Sequence, residues 1–146
     1  MTAAPAPTTA EELRGAGLRV TAARVALLET VHAGDHPSVE AIAAGVRHRV
    51  GHISLQAVYD ALHALTAAGL LRRIEPAGSP ARFERRVGDN HHHVVCRSCG
   101  AIADVDCAVG FTPCLSASED HGFAIDEAEV IYWGICPDCS IDSPAQ

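Results

Sequence analysis

The chain contains no lysine; all eleven of its cationic side chains are arginine. An all-arginine set suits phosphate-fork chemistry, although a GC-rich genome produces the same bias and carries more weight as the explanation. No apolar run approaches the roughly 20 residues that a membrane-spanning helix needs. The first ten residues, Met1 to Ala10, have neither a basic start nor an apolar stretch, so they do not read as a secretory signal. A cytoplasmic compartment is therefore expected, where thiols stay reduced and the six cysteines point to metal more than to disulfides. There is no phosphate-cradling glycine loop and no nucleophile–base arrangement. Internal repeats are lacking apart from two cysteine pairs, and only the tails are of low complexity. At 146 residues with 48% apolar content, the chain can fill a core as one domain or two small ones, which excludes global disorder.

The charge that is present is unevenly shared. Residues 1–88 hold ten arginines against eight acids, a surplus of +2, whereas residues 89–146 hold Arg97 against ten acids, a deficit of −9. The net charge of −7 thus hides a mildly basic half joined to a strongly acidic one, a division that suggests two tasks.

Two cysteine pairs dominate the second half. Cys96-x-x-Cys99 and Cys136-x-x-Cys139 each aim two thiolates into a small space, and together they complete a tetrahedral S₄ shell suited to a structural Zn²⁺. Just upstream lies the run His91-His92-His93. On a strand, His91 and His93 share one face and Cys96 takes the other, so two chemically different clusters can flank one strand. A zinc deaminase would need His-x-Glu and Pro-Cys-x-x-Cys, but His91 is followed by two histidines and Pro137 lies inside the second pair. The chain does not read as an enzyme.

The first half reads as helices and then a hairpin. A short helix is expected over Ala10 to Ala16, ended by Gly17. Thr21 caps a second, running to about His32, with Val20 packed on Val25. Ser38 caps a third with Val39, Ile42 and Val46 inward. Ser54 caps a fourth, stopped by Gly69, along which Leu55, Val58, Leu62 and Leu65 recur at helical spacing. Leu70 to Glu75 and Ala81 to Arg85 read as strands turned by Pro76–Pro80. This order describes a winged helix-turn-helix whose Ser54 helix enters the major groove of DNA. Beyond a linker at 87–90, strands are expected over His91 to Cys96, Ile102 to Asp106 and Val130 to Cys136. A short irregular helix is expected near Pro113 to Glu119. The fold class is α+β. The expected organisation is a flexible tail (1–8), a winged-helix DNA-binding domain (9–86), a hinge (87–90), a small C-terminal α/β metal-binding domain (91–140), to which the resemblance described below adds dimerisation, and a second flexible tail (141–146).

The chain resembles the ferric uptake regulator (Fur) family of metal-dependent repressors over roughly residues 10–140. The resemblance is carried by Leu18-Arg-Val-Thr-Ala-Ala-Arg24, His36-Pro37, Ser54-Leu-Gln-Ala-Val-Tyr59 and Arg82-Phe-Glu84. It continues through His91-His-His-Val-Val-Cys-Arg-Ser-Cys-Gly100 with Asp104, and Tyr132-Trp-Gly-Ile-Cys-Pro-Asp-Cys139. The segments 56–63, 88–93 and 126–133 look closest to the actinobacterial redox-responsive branch associated with catalase-peroxidase genes.

That resemblance implies a homodimeric repressor bound to a palindromic operator in double-stranded DNA, with no membrane partner. It also implies a regulatory metal held by His36, Glu84, His91, His93 and Asp104, a mixed N/O set that accepts Fe²⁺ or Mn²⁺, with Zn²⁺ able to enter in vitro. The bland alternatives are a loop histidine at 36, a surface ion pair at Glu84, a solvated histidine run and a strand-end carboxylate at 104. Arg19 and Arg24 would hold phosphates, and Ser54, Gln56 and Tyr59 would stand at the base edges. Asp60 occupies a position where the family commonly has arginine.

Peroxide sensing is implied through iron-catalysed oxidation of His36 or His91. Asp104 resembles peroxide-responsive members and Glu84 iron-responsive ones, so an iron- or zinc-uptake regulator is the alternative. A zinc-ribbon adaptor that binds no DNA is a more distant one. His92 faces away and suggests a further site with Asp106, Glu127 or Glu129, but Ala128 stands where the family's usual histidine would be. Cys107 and Cys114 are either small buried hydrophobes or a redox pair.

Overall fold

A computed structural model of the chain describes residues 3–85, 91–106, 117–125 and 128–141. It divides into two compact units, Met1–Gly88 and Asp89–Gln146. The expected linker 87–90, both Cys107 and Cys114, Glu127 and most of the expected 113–119 helix lie outside the described residues.

The first unit contains α1 (Thr9–Gly15), α2 (Ala22–Thr30), α3 (Val39–Val50), α4 (Leu55–Ala67) and a hairpin of β1 (Arg72–Ile74) with β2 (Arg82–Glu84). Each helix begins where a hydroxyl can accept an orphan amide. Thr8 accepts from Glu11 N–H in a reciprocal capping box, Thr21 from Arg24, Ser38 from Ala41 and Ser54 from Ala57. The α4 end is closed by Gly69 at φ 78°, a left-handed position that suits a residue without Cβ.

The apolar stripes of these helices make one core: Leu13, Leu27, Leu28, Ile42, Val46, Val58, Leu62, Leu65, Leu71 and Phe83 are all buried. Each such side chain withdrawn from water contributes about 1.5–3 kcal/mol before the cost of ordering it. Val20 and Val25 both pack against its edge. Leu55 departs from the expected stripe, being 44% exposed. It is the first residue of α4, and the buried stripe of that helix begins only at Val58. The helix from Thr21 stops at Thr30, two residues short of the expected His32.

The hairpin is antiparallel, with Arg73 opposite Phe83, and its turn is closed by Ser79 N–H to the Pro76 carbonyl at 3.0 Å. Four helices and a wing on one core are the winged helix-turn-helix read from the sequence.

The second unit is a three-stranded sheet of order β4-β3-β5, built from β3 (His92–Cys96), β4 (Ile102–Val105) and β5 (Ile131–Gly134). The β3–β4 pair is antiparallel, joined through the Cys96–Gly100 turn; β3 and β5 are parallel. A terminal helix, α5 (Pro137–Ile141), follows directly. Sequence reasoning passed over α5, although Pro137 at its first position and Asp138 in its first turn are start signals. No helix among the described residues is long and apolar enough to cross a membrane.

Candidate metal centres

The Sγ atoms of Cys96, Cys99, Cys136 and Cys139 all lie within 4.8 Å of one another, and Cys99 and Cys136 are 3.7 Å apart. Tetrahedral Zn–S bonds of about 2.3 Å place sulfurs about 3.8 Å apart, whereas a disulfide would need about 2.05 Å. The backbone builds this shell from two ends. Cys96 closes β3 and Gly100 N–H turns back to its carbonyl at 3.0 Å, which brings Cys99 round. Cys136 precedes α5, and the first turn of that helix carries Cys139.

The electrostatics ask for a cation. The Cys96 thiol is lowered to about 6 by the backbone amide of Cys99 and next that of Cys136, which donates to Sγ at 3.3 Å. Cys139 is pushed up to about 12. A Ser98 hydrogen bond lowers it, but the sulfurs of Cys136 and Cys99, desolvation and Cys96 together outweigh that bond. Four thiolates cannot share this space unless a divalent ion offsets their repulsion. The four cysteines fit a structural zinc.

The candidate regulatory ligands fall into two sets, one per unit. In the first unit His36 Nε2 stands 3.3 Å from Glu84 Oε2, with side chains only 4% and 1% exposed. In the second, His91 and His93 aim their Nε2 atoms at Asp104 Oδ1, at 3.6 and 3.4 Å. Both imidazoles are buried, their rings 4.8 Å apart and edge-on at 73°. The register explains the convergence, because His93 pairs directly with Asp104 across β3–β4.

Burial removes two of the bland alternatives: Glu84 is no surface ion pair and the histidine run is not solvated. His36 does lie in the α2–α3 loop, though buried, and Asp104 does lie near the end of β4. The donors in each set are imidazole and carboxylate, which suit Fe²⁺, Mn²⁺ or Zn²⁺. His92 is buried too, but among the described residues it joins no group of three or more metal donors.

The residues expected to meet DNA lie in the first unit. Arg19 is exposed, and its carbonyl accepts Arg24 Nη1 at 2.9 Å, so part of the Arg24 fork is engaged on backbone. Ser54 spends its hydroxyl on the α4 cap. Tyr59 is 46% exposed, and Gln56 donates from Nε2 to Asp60 at 2.9 Å. An ionised carboxylate only accepts, so it is the Gln56 amide nitrogen that faces Asp60.

Sequence reasoning missed three ordering arginines. Arg47 Nε donates to the Ile53 carbonyl at 3.2 Å and ties the α3–α4 turn. Arg85 links Glu12 of α1 to the Leu28 carbonyl of α2. Arg82 holds the His36 carbonyl at 3.1 Å. Their partners are 6 to 73 residues away, beyond the reach of helical or strand periodicity.

Residues 15–133 match the model of the ferric uptake regulator family. The chain belongs to that family. It is similar to the transcriptional regulator FurA of Mycobacterium tuberculosis, with 64% identity over 140 residues, covering 96% of this chain and 95% of the relative. Among solved Fur structures, the Pseudomonas aeruginosa regulator with manganese superposes with a TM-score of 0.65 at 25% identity, covering 90% of this chain and 99% of its own. The Helicobacter pylori Fur, described as having three functional metal binding sites, superposes with a TM-score of 0.67 at 19% identity, covering 92% and 89%. The chain is thus a metal-binding transcriptional regulator of the Fur family, with an α+β fold and a cysteine cluster that fits structural zinc.

Proposed function

We propose that this regulator represses transcription as a homodimer, gripping a palindromic operator in double-stranded DNA when Fe²⁺ or Mn²⁺ occupies a centre drawn from His36, Glu84, His91, His93 and Asp104. One observation carries the reading: each unit buries imidazole beside carboxylate, at 3.3 Å in one and 3.4 Å in the other. Two or three donors do not complete the shell of four to six that such ions take. A centre that recruits both sets does, and filling it fixes the unit carrying α4 against the unit carrying the sheet. Arg19 and Arg24 then hold phosphates while Gln56 and Tyr59 face base edges, with Ser54 fixing the helix start. Cytoplasmic residence follows from such a role.

Within that role we infer a peroxide sensor controlling catalase and other oxidative-stress genes. Fe²⁺, when bound, supplies the electron that opens the peroxide O–O bond. Over the whole reaction one oxygen passes from peroxide to an imidazole carbon of His36 or His91, and water leaves. An oxidised imidazole is a poorer ligand, so the metal loosens and repression lifts. Asp104, which resembles the peroxide-responsive members, supports this reading. Glu84 supports the second one, a regulator of iron or zinc uptake.

Mass spectrometry after peroxide treatment separates the two. A gain of one oxygen on His36 or His91 with iron loaded, and none with manganese, is expected. Unmodified histidines with iron loaded leave the uptake regulator standing.

A further inference from the structure

We propose that Arg82 is a positioning residue for the regulatory metal, holding His36 in register with Glu84, and not the phosphate-gripping arginine that its place on the wing suggests. The inference rests on His36 and Glu84 being metal ligands. Arg82 and Glu84 alternate with Phe83 along β2, so they share a face while Phe83 faces the core. From that face Arg82 Nη1 donates to the His36 carbonyl at 3.1 Å, across 46 residues of sequence. Next to it, Phe83 N–H donates to the Pro37 carbonyl at 3.1 Å, and Ser38 bridges to Arg82. The α2–α3 loop is thereby tied to β2 by one antiparallel bridge, just after His36.

Pro37 adds rigidity, since a residue before proline is confined to extended backbone. The result is His36 Nε2 held 3.3 Å from Glu84 Oε2. The hairpin does not need the guanidinium for its own cohesion, because β1 pairs along it and Phe83 anchors it. What the guanidinium fixes in particular is the backbone of a candidate ligand. The neighbouring wing arginine behaves otherwise: Arg73 is exposed and pairs with Glu75 at 3.1 Å. Outer-shell groups that orient a ligand typically set metal affinity by about 10–100-fold.

The test uses full-length, zinc-loaded protein, with Mn²⁺ as the probe. Arg82→Ala is expected to weaken Mn²⁺ binding by about 10–100-fold in calorimetry. Arg82→Lys, which keeps the charge but offers only a shorter single-point donor, is expected to fall in between. In the Mn²⁺-free protein the Phe83 amide is expected to exchange with solvent faster in Arg82→Ala, a change that needs no metal at all. At saturating Mn²⁺, binding to a mixed-sequence duplex is expected to keep its salt slope. A slope reduced by about one with Mn²⁺ affinity intact would make Arg82 a phosphate contact and overturn the proposal. Unchanged Mn²⁺ affinity and unchanged slope overturn it equally.

Should Arg82→Ala fail to fold, Arg82→Gln decides: weakened Mn²⁺ binding supports the role, and wild-type binding refutes it. His36→Ala and Glu84→Ala run alongside. If they too bind Mn²⁺ normally, the metal-centre reading itself has failed; if they do not and Arg82→Ala does, only the role of Arg82 has.

Discussion

Glu84 is 1% exposed, and a carboxylate so placed demands a partner. His36 supplies one at 3.3 Å, and imidazole beside carboxylate is the donor pairing that suits Fe²⁺, Mn²⁺ or Zn²⁺. The same holds for His93 with Asp104. His93→Ala is therefore expected to leave the zinc content and the fold intact. It should weaken Mn²⁺ binding by more than the roughly 10–100-fold that outer-shell changes cost, and metal-dependent operator binding with it. Calorimetry and a gel-shift titration of the same sample check this; wild-type operator binding would remove His93 from the centre.

The cysteines give the opposite outcome. Cys96→Ser breaks the S₄ shell, so zinc and the dimer should both be lost, as read by metal analysis and sedimentation. Cys139, pushed up to about 12, enters the site as a thiol and must release its proton to bind zinc. Zinc affinity is accordingly expected to fall as pH falls, with proton release visible when calorimetry is repeated in buffers of different ionisation enthalpy. The S₄ cluster was legible in the sequence because each Cys-x-x-Cys pair is a local signal and half a shell calls for the other half. Arg82 was not, because nothing along the chain announces a guanidinium reaching a carbonyl 46 residues away.

At the scale of elements, local chemistry was legible wherever it was sufficient. Thr21, Ser38 and Ser54 cap the three longer helices, since a hydroxyl before an apolar-periodic stretch has one use there. What remained hidden was pairing. The parallel contact of β3 with β5 joins segments more than thirty residues apart, and alternation alone cannot choose a neighbour. The crossing of α2 and α3 was hidden too. A Cβ at Gly45 would come within 2.4 Å of Thr30 Cγ2, and Thr30 cannot turn aside freely because its hydroxyl donates to the Ala26 carbonyl at 2.7 Å.

Gly45 is thus a contact residue inside a helix that would otherwise favour alanine by about 1 kcal/mol. Gly45→Ala is expected to destabilise the protein by about 1–2 kcal/mol net, overpacking outweighing propensity. Chemical denaturation measures it. Thr30→Ser, which removes the clashing methyl, should recover most of the loss in the double variant; a double variant no better than the single one would place the strain elsewhere.

For the whole molecule, the charge division already separates a basic unit from an acidic one, and the two compact units keep that boundary within a residue. If one ion draws its ligands from both, then metal and DNA are coupled through the posture that the ion selects. Shifting a two-state posture from 1:99 to 99:1 takes about 5.5 kcal/mol of differential affinity, a magnitude that added ligand bonds to a divalent ion can supply. Thermodynamics then requires reciprocity: whatever factor Mn²⁺ adds to operator affinity, operator DNA must add to Mn²⁺ affinity.

Two titrations on zinc-loaded protein test this, operator at zero and saturating Mn²⁺, then Mn²⁺ with and without operator. Equal factors, typically 5- to 150-fold for such coupling, are expected, and Glu84→Ala should reduce both together because it removes a ligand from the DNA-reading side. A phosphate-only role for the metal predicts otherwise. Both factors would then survive Glu84→Ala and shrink with salt as exposed charges are screened.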